Sequence, residues 1–233
     1  MGKIRREEFK IEKSVFDLFT VGNLKKLESK GFFEFESLIP LFLGKEANIF
    51  VGEGEKGYVA VKIYRVENCD FNRMFDYIKL DPRYSSLKRK RRDIIMMWVQ
   101  REYKNLLKAR EGGARVPTPY AIANNVLVME LVGEPALKIK DDIPENPALF
   151  YLDVVAQMKK LFNAGLVHAD LSQFNILNYG QRPVLIDFSQ ATTIGSFRAG
   201  EYLRRDLTNV NNFFRKLGVK EKELKTIAYF QGE

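Results

Sequence analysis

The chain has 233 residues, 45% hydrophobic and 29% charged, with a formal net charge of +8, which is enough apolar material for one sizeable core or two lobes. No apolar run approaches the roughly eighteen residues of a membrane span, and the charged start MGKIRREEFKIEK lacks an apolar signal core, so no membrane partner and a cytoplasmic location are expected. A single cysteine, Cys69, excludes an internal disulfide framework, and with a single histidine, His168, there is no thiolate or imidazole cluster for zinc; any metal must be held by oxygen.

Residues 5 to 36 read as short helices with polar breaks, and LKKLESKGFFEF predicts a helix ended by Gly31. Three β-prone runs follow: SLIPLFL (37–43), NIFVGE (48–53) and YVAVKIY (58–64), separated by GKEA and GEKG, the pattern of an antiparallel meander. Residues 65 to 92 look less regular and strongly basic, closing with KRKRR at 88–92. From Asp93 to Arg110 a helical period returns, stopped by Gly112 and Gly113; YAIA and VLVMELVG then flank Asn124 and Asn125 as two further strands joined by a tight turn. From about residue 147 the chain is mostly helical, interrupted by LVHADLSQFNILN (166–178) and a short strand, PVLIDF. The expected division is an N-terminal helical extension (1–36), a sheet-rich lobe (37–133) and a helix-rich lobe (134–233). A cleft between two such lobes is a common place for a ligand.

Charged residues inside apolar patterns point to the chemistry. Alternation along YVAVKIY puts Val59, Val61 and Ile63 on one face and Lys62 on the other, where an edge lysine reaching water is the bland alternative. Glu102 has Trp98 at i−4 and Leu106 at i+4, so it falls in an apolar stripe and needs a cation; Lys62 is a candidate. Asp187 ends PVLID, where a carboxylate can hold a divalent cation or simply cap a turn. In LVHADLSQFNILN, Asp170 is followed five residues later by Asn175, flanked by Leu166, Val167, Leu171, Phe174, Ile176 and Leu177 as apolar braces. Lysine, glutamate, aspartate with asparagine five later, then a metal-binding aspartate is the order of a kinase site. Asp170 would accept or orient a hydroxyl proton, Asn175 and Asp187 would offer oxygen to Mg²⁺ or Mn²⁺, and Lys62 would meet phosphate.

GEGEKG (52–57) satisfies GxGxxG, but Gly57 lies too close to Lys62 for a strand to intervene, and Glu53 and Glu55 would repel phosphate. The turn Gly44-Lys45-Glu46-Ala47-Asn48 is the better phosphate loop, because Gly44 permits close backbone approach and Lys45 adds charge.

GKEANIF, AVKIY, WVQREYKNL, VLVMELVG, LVHADLSQFNIL and IDFSQA together resemble the RIO family of atypical serine/threonine protein kinases, in its first branch, which lacks a winged helix. The resemblance covers residues 20 to 217 and implies an α+β, two-lobed protein-kinase-like fold: an N-lobe with a five-stranded antiparallel sheet and one long helix, and a truncated, mostly helical C-lobe. It implies ATP with Mg²⁺ or Mn²⁺ as cofactors, Asp170 as catalytic aspartate, and Asn175 and Asp187 as metal ligands. Asp187 is also implied as a transient phosphoryl acceptor, Lys62 as the partner of Glu102, and Met129, Glu130 and Val132 as the adenine contacts. The resemblance further implies that ATP hydrolysis accompanies protein phosphorylation and that the partner is the maturing small ribosomal subunit or its RNA, with the protein substrate unknown.

The chain also departs from the pattern. Asp187-Phe188-Ser189 replaces DFG, only 46 residues follow Asp187 with no APE segment, and Phe42 and Leu43 stand where hydroxyl residues usually precede the loop glycine. KRKRR is a solvated run or an RNA contact, and Ser85 and Ser86 beside it are candidate autophosphorylation sites. Two rival readings are a small-molecule phosphotransferase of the aminoglycoside type, which the short tail disfavours, and a non-catalytic RNA–protein assembly factor switched by ATP.

Overall fold

The computed structural model describes residues 16–55, 57–65, 71–79 and 90–231. Two compact units divide the chain: residues 1–70 with 120–130, and residues 71–119 with 131–233.

In the first unit, helix α1 (Leu18–Glu28) begins at Asp17, whose carboxylate accepts from Thr20 N–H at 2.6 Å. It stops before Gly31, which takes the left-handed φ of +73° expected of a glycine closing a helix. Strands β1 (Ile39–Leu43), β2 (Ala47–Gly54), β3 (Gly57–Tyr64), β4 (Pro119–Ala123) and β5 (Val126–Glu130) form the antiparallel sheet, in the order β1-β2-β3-β5-β4. The meander is as the punctuation suggested. Alternation on β3 is also kept: Val59, Val61 and Ile63 pack with Phe50, Val126 and Val128, beneath Leu24 and Leu27 of α1 and Phe33 and Phe35 after it. Lys62 is therefore on the opposite face, and β3 is the central strand, which removes the reading of Lys62 as an edge lysine.

Polar groups tie α1 to the β4–β5 turn. Asn125 Nδ2 donates to Thr20 Oγ1 and to the Tyr64 carbonyl, both at 2.9 Å, while Asn23 Nδ2 donates to Asn125 Oδ1 at 2.9 Å. Asn124, at φ +49°, donates from Nδ2 to Asn23 Oδ1 at 2.7 Å. The glycines of GEGEKG serve packing: a Cβ on Gly54 would lie 2.2 Å from the Phe32 carbonyl oxygen, and one on Gly52 would lie 2.9 Å from Phe33 Cβ. These two glycines let residues 32–33 lie against β2, which accounts for the motif without a phosphate.

In the second unit, helix α2 (Phe71–Lys79) is found where the sequence looked irregular. Met74 and Ile78 are fully buried and Phe71, Phe75 and Tyr77 half-buried, so Phe71, Met74, Phe75 and Ile78 form one apolar face at i, i+3, i+4 and i+7. Helix α3 (Arg91–Glu111) follows, with Tyr77 of α2 edge-on to its Trp98. After β6 (Leu137–Lys138) comes α4 (Pro147–Asn163), capped by Asn146 with Pro147 in its first turn. Strands β7 (Leu166–Val167), β8 (Ile176–Tyr179), β9 (Arg182–Leu185) and β10 (Thr192–Thr193) form two small sheets, β6-β8-β9 and β10-β7. Helix α5 (Ala199–Lys216) buries Tyr202, Leu203, Leu207, Val210 and Phe214, and a short α6 (Ala228–Gln231) ends the described chain. Phe197, just ahead of α5, is 97% exposed.

Candidate active site

The segment 168–175 is built from three sides. His168 is buried and places Nε2 2.9 Å from the Ile186 carbonyl, with its ring 4.7 Å from that of Phe188, so it braces the loop. Ala169 takes φ +63°, a strained value for a residue with a Cβ.

Helix α5 holds that strain in place. Asp206 accepts from Ala169 N–H at 2.7 Å and from Leu171 N–H at 3.0 Å; Arg205 donates to the Ala169 carbonyl, and Asn209 donates to the Leu171 carbonyl at 3.2 Å. All four backbone polar groups of the two residues flanking Asp170 are thus bound by side chains of one helix. Burial raises the Asp206 carboxyl to about 7, against the two N–H donations and Arg205, which pull it down.

Asp170 and Asn175 form a single unit. Asn175 Nδ2 donates to the Asp170 carbonyl at 2.8 Å and to its Oδ2 at 3.3 Å. A planar amide so anchored turns its oxygen the other way. Asn175 also accepts, through its carbonyl, from Ile186 N–H at 3.0 Å, which sets the residue beside Asp187 against the loop. Asp187 does not end the strand, as PVLID suggested; β9 stops at Leu185, and Asp187 lies two residues beyond with φ +64°. Phe174, expected as an apolar brace, is 49% exposed, with the Lys140 ammonium 5.7 Å from its ring centre.

Helix α3 holds the segment after Asp187. Asn105 is fully buried and donates from Nδ2 to the Phe188 and Ala191 carbonyls at 3.1 and 2.8 Å, and Arg101 donates to the Gln190 carbonyl at 3.4 Å. Glu102 is buried on the same stripe. Ser189 Oγ, inside this bracket, donates to Asp187 Oδ1 at 2.7 Å. Sequence reasoning missed Asn105, Ser189, Arg205, Asp206 and Asn209. One signal was present: Asp206 has Tyr202 at i−4, Leu203 at i−3 and Val210 at i+4, the carboxylate-in-a-stripe pattern that exposed Glu102.

The first unit carries the other expected residues. Lys62 is buried, with its ammonium 5.1 Å from the Tyr64 ring centre, and pairs in register with Ile49 and Leu127. The turn from Gly44 to Asn48 closes on itself: Gly44 N–H donates to the Ala47 carbonyl at 3.1 Å and to Asn48 Oδ1 at 3.2 Å, and Arg65 N–H donates to the Glu46 carbonyl at 3.0 Å. A Cβ on Gly44 would lie 2.7 Å from the Ala47 oxygen, so the missing side chain serves the turn itself, and Lys45 sits at its apex. Phe42 and Leu43 before it are 51% and 65% exposed. Met129 and Glu130 pair with Ala60 and Val59 in the sheet, while Val132 belongs to the second unit, its carbonyl accepting from Ala136 N–H at 2.6 Å. Ser85, Ser86, Lys88 and Arg89 lie outside the described residues; Lys90, Arg91 and Arg92 are exposed.

A five-stranded antiparallel sheet joined to a helical unit, with an aspartate loop five residues ahead of a buttressed asparagine, defines the protein-kinase-like α+β class. A family model for the RIO domain matches residues 48–227, so the chain belongs to the RIO family of atypical serine/threonine kinases. The RIO-type serine/threonine-protein kinase Rio1 of Haloferax volcanii is 42% identical over 216 residues, covering 91% of this chain and 74% of that protein. The protein of the same name from Methanocaldococcus jannaschii is 40% identical over 232 residues, covering 97% and 79%. Among solved structures, the Rio2 kinase–ADP/Mg²⁺–phosphoaspartate complex from Chaetomium thermophilum has a TM-score of 0.69 at 23% identity, over 90% of this chain and 63% of that one, and speaks to the fold. No described helix is long and apolar enough to cross a membrane.

Proposed function

We propose that this chain transfers the γ-phosphoryl group of ATP to serine or threonine of a protein, with Mg²⁺ or Mn²⁺, and also turns ATP over to ADP and phosphate. The observation that carries the reading is the unit of Asp170 and Asn175, tied by the Asn175–Ile186 bond to the residue before Asp187. Asp170 orients the attacking hydroxyl and takes up its proton. The Asn175 amide oxygen and the Asp187 carboxylate are hard oxygen donors, two ligands for a cation that prefers such ligands and keeps several waters. When bound, the cation neutralises charge on the phosphates.

In the first unit, Lys62 meets phosphate oxygens, and the turn Gly44, Lys45, Glu46, Ala47 and Asn48 cradles them. Adenine is met by Met129 and by backbone of Glu130 and Val132. Asp187 serves as transient phosphoryl acceptor, and water releases phosphate from it. The maturing small ribosomal subunit or its RNA is the partner, in the cytoplasm; exposed Lys90, Arg91 and Arg92 on a basic chain support this.

Incubation with γ-labelled ATP tests the proposal. Label is expected on serine or threonine, or as acid-labile aspartyl phosphate, together with free phosphate. Asp170→Ala is expected to abolish transfer with nucleotide binding retained; unchanged turnover in that variant would refute the assignment.

A further inference from the structure

Ser189 stands where conventional kinases carry the glycine of DFG, and its hydroxyl has a defined target. Oγ lies 2.7 Å from Asp187 Oδ1, a length typical of a hydroxyl donating to an ionised carboxylate, and Ser189 is 7% exposed. The contact is held from outside. Asn105 grips the carbonyls of Phe188 and Ala191, Arg101 reaches that of Gln190, and the His168 ring packs at a tilt against that of Phe188. Residues on both sides of Ser189 are therefore pinned by buried side chains of α3, while Asp187 is kept at φ +64°, an uncommon backbone conformation for a residue with a Cβ.

From this we infer that Ser189 is a positioning residue for the divalent cation: its hydroxyl fixes the Asp187 carboxylate and makes its two oxygens inequivalent before the cation arrives. Groups that orient a ligating side chain in this way change metal affinity about 10–100-fold when removed. The inference rests on the proposed cation role of Asp187, and it turns a departure from DFG into part of the site.

The test reads metal binding and needs no turnover. Mn²⁺ is titrated into the full chain with ADP and followed by electron paramagnetic resonance. Ser189→Ala and Ser189→Gly are expected to weaken Mn²⁺ about tenfold, with far-UV dichroism unchanged, and Ser189→Thr to restore most of it. Asp187→Asn is expected to lose Mn²⁺, and Ser189→Ala to change nothing further in that background. If Asp187→Asn loses Mn²⁺ while folded Ser189→Ala and Ser189→Gly bind like the parent, the positioning role is overturned and the proposed function stands. If Asp187→Asn binds Mn²⁺ like the parent, the cation assignment itself falls, and the inference with it.

Discussion

Two loops in this molecule are held in opposite ways. The turn from Gly44 to Asn48 is secured by hydrogen bonds within itself and to Arg65, at the end of the neighbouring strand. Segment 168–175 is held by side chains 35 to 38 residues further on, in α5. A loop of the first kind is written where it sits, and only local changes should disturb it. One of the second kind carries its motif in one place and its geometry in another, so it should fail through substitutions that touch neither nucleotide nor substrate.

The largest effect expected from that contrast is at Asp206. Asp206→Ala orphans two buried N–H donors, at ~1–3 kcal/mol each, and frees the backbone on both sides of Asp170. A displacement of an ångström at such a centre costs on the order of a hundredfold in rate, so kcat should fall at least that far, with a lower melting temperature. A variant with parental kcat would break the comparison. The same carboxyl should make activity and stability run in opposite directions with pH. Folded Asp206 keeps its proton up to about 7, whereas the ordinary aspartate value is 3.8. Between these values the folded state holds more protons than the unfolded one, so this group's contribution to stability falls as pH rises and is level above about 7. Only the ionised form accepts fully at both oxygens, so phosphotransfer should rise through the same window. Asp206→Asn should flatten both trends, read by denaturant unfolding and by pH–rate profiles.

Next in size is Asn105→Ala. It removes the donor to two buried carbonyls, at ~1–3 kcal/mol, and should lower phosphotransfer by loosening the residues after Asp187. Asn125→Ala sharpens the contrast from the other side. It breaks the network joining α1 to the sheet, so a similar loss of stability in denaturant titrations is expected with kcat nearly unchanged. The smallest effect belongs to Phe42→Ser. Phe42 is half exposed beside the self-contained turn, so stability should move by less than about 0.5 kcal/mol, and only nucleotide affinity, measured by titration calorimetry, should respond.

What was legible in the sequence follows the same division. The five strands, α1 and α3 were readable because each has a local signal: alternation, a closing glycine, an apolar stripe. Lys62, Glu102, Asp170, Asn175 and Asp187 stood out as candidates because their order along the chain matches a kinase template. Helix α2 was missed although Phe71, Met74, Phe75 and Ile78 keep helical spacing, because it spans only nine residues inside a long, strongly basic stretch. The side chains of Asn105, Arg205, Asp206 and Asn209 were not readable as site residues, because they bind backbone carbonyls and N–H groups, and backbone leaves no residue type to match against. Gly52 and Gly54 misled in the reverse direction: a pattern typical of phosphate loops arises here from the close approach of residues 32 and 33.

The clamp by α5 also has a consequence during synthesis. A growing chain lengthens by about 5–20 residues per second. The loop around Asp170 is made 35 to 38 residues before the side chains that bind it. It therefore waits roughly two to eight seconds at that pace before its left-handed backbone can be set. The nascent protein carries every residue of its motif before it can use any of them.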